Sequence, residues 1–353
     1  MRLDSKVQKS NISLIERQND KKNRLPLWGS ILVFLLVGGS ILATILGAKS
    51  ISPSEILSAI FSFDETNNMH QVFMTVRLPR VLAAIITGAG FAVSGAIIQG
   101  ITRNPIADSG ILGLNAGAGL MLVIAMIFLP KASFTETLWL CILGTALGAS
   151  CVFGVGFLSI NGLKPIRLVL AGAAISAMLT ALSEAMSIFF SISQQVAFWY
   201  GGGLSGIQFK HLQQVIPWMF TALIGSILLS NSISLLSLGE NTAKGLGLKI
   251  TKVRILSFIV AIILAGISCA LAGAISFVGL LAPHLVRYLV GYDYRLVIPL
   301  SAVMGAIIVV IADMVARIVN APYEIPVGAI LSVIGIPFFL MLARKEGRKN
   351  AWD

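Results

Sequence analysis

The chain is a succession of apolar runs long enough to cross a lipid bilayer, and no other feature narrows its fold so sharply. A helix needs roughly 20 apolar residues to span about 30 Å of hydrocarbon. Within lipid only helices and closed barrels satisfy every backbone polar group. Runs of this kind fall at about 27–47, 81–101, 111–129, 137–158, 167–190, 214–236, 254–272, 275–290, 296–316 and 326–343. They predict an all-α polytopic membrane protein with about ten transmembrane helices in one bundle. The eighth run is short and carries Pro283, which predicts a broken or tilted helix. Composition agrees: 56% of residues are hydrophobic and 12% charged, where a soluble domain carries about 25% charged residues. A water-facing enzyme and a nucleic-acid binder are thereby excluded.

Residues 1–26 are polar and basic, with Arg2, Lys6, Lys9, Arg17, Lys21, Lys22 and Arg24, and read as a cytoplasmic tail. Residues 27–348 form the membrane domain and 349–353 a second cytoplasmic tail. The first apolar run is too long for a signal-peptide core and lacks a clear cleavage site, so it reads as an uncleaved span. An even number of spans places both termini on one side. With that side inside, only six of the 26 Lys and Arg lie outside: Lys49, Arg77, Arg80, Lys131, Lys210 and Arg317. The positive-inside rule therefore favours cytoplasmic termini. Cys141, Cys151 and Cys269 each sit in an apolar run without C-x-x-C spacing and read as small buried hydrophobes. Gly88, Gly95, Gly117, Gly144 and Gly148 recur at helical spacing, as close packing of helices in lipid demands.

Three constellations are more specific. Arg77-Leu78-Pro79-Arg80 opens the second span on the outer rim, where few cations are expected. Guanidinium forks there suit bidentate binding of a partner's carboxylate, or serve as snorkelling anchors. Leu238–Leu248 is an inner loop, read as a short helix begun near Glu240 and interrupted by Gly245 and Gly247, with Ala243 and Leu246 on one side. At about two turns it needs a partner surface to be stable. The third is Gly273–His284, ending in Pro283-His284.

With Arg103-Asn104-Pro105-Ile106-Ala107-Asp108, Gly110-Ile111-Leu112-Gly113 and Ala312-Asp313-Met314-Val315-Ala316-Arg317, these segments resemble the permease subunits of ABC importers for iron-siderophores, haem and vitamin B12 (the FecCD type). The resemblance runs in order from about residue 27 to 348. It implies a type II ABC importer architecture in the cytoplasmic membrane of a bacterium. The implied partners are a second permease subunit (a copy or a paralogue), two cytoplasmic ATPases and an extracytoplasmic substrate-binding protein. By the same resemblance Arg77, Arg80 and Arg317 would receive carboxylates of the binding protein, and Gly239, Glu240, Ala243, Gly245, Leu246 and Gly247 would belong to the segment that docks on the ATPase. Arg317 also follows Asp313 by four residues, the spacing of an internal ion pair.

The chain has no G-x-x-x-x-G-K-[ST], so ATP and Mg are expected on the partner ATPase and no cofactor on this chain. His70, His211 and His284 form no metal-like cluster in sequence. Glu184, within the fifth span, either lines a water-filled path or bonds within the bundle. Trp199 and Tyr200 either contact a bulky ligand at the pathway mouth or belong to the interfacial aromatic belt. The expected function is import of a ferric siderophore or similar chelate by alternating access, with haem or cobalamin as alternative cargo. A secondary transporter driven by an ion gradient is the rival class. It calls for more intramembrane carboxylates and broken helices than Glu184 and the Pro283 region supply.

Overall fold

Caps, prolines and left-handed residues decide where the chain turns. The computed structural model describes residues 25–47, 50–110, 112–157 and 165–350. Most of the expected N-terminal tail, residues 351–353, Lys49, Ile111 and Lys164 lie outside the described residues. Helix α1 is Leu25–Ile45. Ser52 and Glu55 form a capping box that starts α2, Pro53–Phe61. Helix α3, Asn68–Val72, passes through one π turn, Phe73–Arg77, directly into α4, Leu78–Thr102. There follow α5 (Leu114–Phe128), α6 (Phe134–Phe157), α7 (Pro165–Phe189), the short α8 (Ser193–Gly201) and α9 (Phe209–Ser237). The chain then forms α10 (Glu240–Gly245), α11 (Ile250–Ala272), α12 (Val278–Val290), α13 (Tyr294–Ile318) and α14 (Val327–Asn350).

Among the described residues seven helices are long and apolar enough to cross a membrane, and three shorter apolar helices accompany them. Together they coincide with the ten expected runs. The boundaries differ where local chemistry overrides hydropathy. The second span is not opened by Arg77: helix is continuous from Asn68, and the π turn Phe73–Arg77 stands directly before Pro79, which has no N–H to donate back along the helix. The eighth helix starts at Val278, because Phe277 takes up a left-handed conformation (φ 71°) as its N-cap, and Pro283 lies inside the helix without ending it. The helix α14 runs on through residues 349 and 350, the start of the expected C-terminal tail.

Helix α4 is the centre of the bundle, packed against α9, α11, α12 and α13. Two glycine seams set its distance from its neighbours. A Cβ on Gly88 would collide with the backbone carbonyl of Gly305 in α13, and one on Gly95 with the backbone of Gly279 in α12. Gly117 and Gly144 form the same kind of seam between α5 and α6. Without side chains at the crossing the helix backbones touch, which is how dispersion forces hold helices together in lipid. Cys141 and Cys269 are buried, and the Cys269 thiol donates weakly to Asn115 Oδ1 at 3.5 Å, in keeping with packing roles.

Candidate functional site

The ends of α4 carry two charged sites. Twenty-five residues at about 1.5 Å each separate them by roughly 35 Å, close to the thickness of the hydrocarbon layer. At the first end, α1 stops at Ile45 and leaves its last carbonyls without helical partners. Arg77 Nη1 donates to the carbonyls of Thr44 (2.6 Å) and Ile45 (2.9 Å). Arg317 donates to Ala43 (2.9 Å) and Leu46 (3.0 Å). Two guanidinium groups from distant segments thus cap α1, at the helix end where positive charge is favoured. Asp313 accepts from Arg80 Nε at 2.9 Å and lies 3.1 Å from Arg317 Nε, so the expected i,i+4 pair is present and shared with a third partner. Arg80 Nη1 also meets Glu324 Oε1 at 2.6 Å.

This corrects the expectation of an exposed rim. Arg77, Arg80 and Arg317 are 7%, 6% and 6% exposed. Burial is tolerable because each guanidinium meets carbonyls or carboxylates, which offset the desolvation of the charge. What remains accessible is a cleft of ≈ 250 Å³ whose charged lining is Arg77, Arg80, Arg317 and Glu324.

At the other end the short helix α10 is fastened on three sides. Gly239, at φ 126°, turns the chain out of α9, and Glu240 opens the helix. Its carboxylate lies 2.6 Å from Arg254 Nη2, near the start of α11, and 3.4 Å from Arg103 Nη2, the left-handed residue that ends α4. The bond from Arg254 holds the Glu240 carboxyl below the usual value of 4.5. The helix ends in a Schellman turn: Leu248 N–H donates to Ala243 O at 3.0 Å and Gly247 N–H to Lys244 O at 2.9 Å, with Gly247 at φ 79°. Gly245 and Gly247 therefore terminate the helix rather than interrupt it. The expectation that Ala243 and Leu246 share a side is also corrected. Ala243 is fully buried against the bundle, whereas Leu246, which closes the last helical turn, is 61% exposed.

The profile of the FecCD transport family matches residues 33–345 of this chain, nearly the whole described structure. The chain belongs to the FecCD transport family. It is 42% identical over 326 residues to the iron(3+)-hydroxamate import system permease protein FhuB of Bacillus subtilis, covering 91% of this chain and 85% of that protein. It is 32% identical to the ferric enterobactin transport system permease protein FepD of Escherichia coli over 91% of this chain and 96% of that one. A solved structure described as an inward-facing conformation of a metal-chelate type ABC transporter superposes with a TM-score of 0.77 at 29% identity, covering 91% of this chain and 99% of the other.

For a FecCD chain, the remaining sequence candidates separate cleanly. Trp199 and Phe198, with Gln194 and Gln195, line a cavity of ≈ 480 Å³ beside the ends of α5 and α11. Tyr200 turns away from that cavity, with its hydroxyl packed against Gly119 of α5. The loop after α8 is tied down by Gly203 N–H to Ala272 O and Val327 N–H to Gly202 O, both 3.0 Å, so the cavity wall is fixed to α11 and α14. Glu184 lies on the exposed side of α7 rather than within the bundle core. The histidines have structural partners: His70 and His211 accept backbone N–H groups of Asp64 and Gln208, and the His284 ring meets Phe338 edge-on.

Sequence reasoning missed a buried polar chain between α4 and α12. Arg287 Nη2 donates to Gln99 Oε1 at 2.5 Å, and Gln99 Nε2 donates to Gly279 O at 2.9 Å. The signal was present in a Gln on the glycine-rich second span, a polar residue at a depth where polar residues require a partner. Glu324, Arg103 and Arg254 were likewise not singled out as site residues.

Proposed function

We propose that the chain is the membrane-spanning subunit of an ATP-driven importer for a ferric siderophore or similar iron chelate, working by alternating access. The observation that carries this reading is the family match over 33–345 on a bundle whose two ends each carry a built charged site. Relatives named for iron-hydroxamate and ferric enterobactin import supply the cargo class. Covalent chemistry is no part of the role; ATP and Mg belong to two cytoplasmic ATPase subunits, and a second permease subunit completes the pathway.

In this reading the cleft lined by Arg77, Arg80, Arg317 and Glu324 faces the extracytoplasmic binding protein, whose carboxylate would enter the cleft rather than meet a projecting arginine. Helix α10 docks on the ATPase through Leu246 and the neighbouring Leu238, which is 68% exposed. The aromatic and amide wall at Trp199, Phe198, Gln194 and Gln195 suits a bulky neutral chelate that must pass without tight binding.

Uptake of radio-iron carried by hydroxamate, catecholate and citrate chelates, in a strain lacking only this chain, tests the proposal. Loss of one chelate class, restored by the gene, is expected. Retention of all three would overturn the siderophore assignment. Survival of uptake without a copurifying ATPase would favour an ion-gradient mechanism instead.

A further inference from the structure

Glu240 is held from two sides by side chains of the two long helices that flank it. Arg254 comes from the start of α11, 2.6 Å away, and Arg103 from the end of α4, 3.4 Å away. Neither arginine is needed to build α10 itself, which has its own Schellman end and its own buried anchor in Ala243. Their effect is to fix where α10 lies relative to the bundle. A six-residue helix has too few internal bonds to hold a direction, so its orientation is set by what grips it. Glu240 stands at its first position, so a grip there sets the angle of the whole helix.

We propose that Arg103 and Arg254 are positioning residues that register α10 on α4 and α11 through Glu240, so that α10 and the two helices move as one body during the transport cycle. The proposal rests on the reading of α10 as the ATPase-docking helix. It adds the link that converts docking into work on the pathway: α4 is the central helix, and its other end carries Arg80. Without the fork, α10 can still touch the ATPase through exposed Leu246, but its displacement is taken up by swivelling about Gly239 instead of moving the bundle.

The test uses the complete complex of permease, ATPase and binding protein reconstituted in vesicles, with three readouts: copurifying ATPase, ATP hydrolysis, and chelate transported per ATP. For Glu240→Gln and, independently, Arg254→Gln, ATPase copurification should match wild type while chelate transported per ATP falls by at least about fivefold, the lower end of typical coupling between sites. Exchanging the charges throughout, Glu240→Arg with Arg254→Glu and Arg103→Glu, should recover most of that ratio. Wild-type transport per ATP in both single variants overturns the proposal, as does failure of the fully exchanged variant to recover it. Loss of ATPase copurification in Glu240→Gln also overturns it, because Glu240 would then contact the ATPase directly. Leu246→Asp is the separate arm: if it leaves ATPase copurification and hydrolysis unchanged, the docking role of α10 itself fails.

Discussion

Asp313 accepts from one edge of the Arg80 guanidinium, with Nε at 2.9 Å and Nη2 at 2.8 Å on Oδ1 and Nε also 3.2 Å from Oδ2, although 233 residues separate them in sequence. The same carboxylate balances Arg317, and all three side chains are nearly sealed from solvent. Removing the one shared anion leaves two buried cations facing each other. Asp313→Asn should therefore cost on the order of 3–5 kcal/mol, the penalty for breaking a buried ion pair, read as a lowered unfolding temperature in detergent. Asp313→Glu should recover part of it.

The burial of Arg77 and Arg80 changes what their replacement does. Arg77→Glu with Arg80→Glu would set two anions beside Asp313 and the carbonyl end of α1, so the expected outcome is poor assembly, not a folded protein that merely fails to dock. Arg80→Lys keeps the charge but not the fork. If the cleft is the docking site, the variant should assemble, bind the substrate-binding protein more weakly, and keep the wild-type salt dependence between 50 and 300 mM, values spanning Debye lengths of about 14 to 6 Å, because the charge is unchanged.

Glycine seams give a sharper stability contrast. Gly95→Ala drives a methyl into the backbone of Gly279 and should cost about 1–3 kcal/mol by overpacking. Gly154→Ala has open space around it and should be neutral or slightly stabilising by helix propensity. Thermal unfolding of the two variants side by side checks the contrast.

In α10, Ala243→Asp should disrupt the local fold because Ala243 is fully buried, whereas Leu246→Asp should leave the bundle intact and, if Leu246 is an ATPase contact of ordinary strength as proposed, weaken that association by about 1–2 kcal/mol. Glu240 adds a pH signature. Its carboxyl is depressed in the folded state by Arg254, so the stability it contributes is complete above its unfolded value near 4.5 and fades only as pH falls through the lower folded value. The Glu240–Arg254 contribution, measured by a double-mutant cycle, should be constant from pH 6 to 8 and vanish in stronger acid.

Glu184→Gln should express and unfold as wild type does, within about 0.5 kcal/mol, because the side chain stands on the exposed side of α7. Uptake of the cognate chelate should fall. Unchanged uptake would assign Glu184 to the lipid or subunit boundary.

The apolar runs were legible because the bilayer imposes one length scale on every crossing helix, and the ten expected segments all return as helices. The inner helix was legible from Gly245 and Gly247, but its sidedness was not. Leu246 closes the last turn, with its N–H bonded to Thr242 O at 3.1 Å, but the bundle covers Ala243 and leaves Leu246 exposed. The fate of Arg77 and Arg80 was hidden for a different reason: the groups that bury them, at Thr44, Asp313 and Glu324, lie 33, 233 and 244 residues away, and no local pattern connects them, whereas the Asp313–Arg317 pair was legible from its spacing. Helix α2 could have been read from Ser52-Pro53-Ser54-Glu55, a capping box with proline at the first helical position, yet hydropathy windows pass over it.

The backbone contacts of Gly88 with Gly305 and of Gly95 with Gly279 leave α4, α12 and α13 no room to slide past one another, since no flexible side chain stands between them to readjust. Relative motion among these three helices is therefore restricted, and they move as a unit, while helices such as α7, of whose apolar window only 22% is buried against 83% for that of α4, are free to shift against them. Amide hydrogens should reveal the division directly: those of α4 exchange only on global unfolding, whereas those of α7 exchange through small local openings, so the subunit wears its moving parts on the outside.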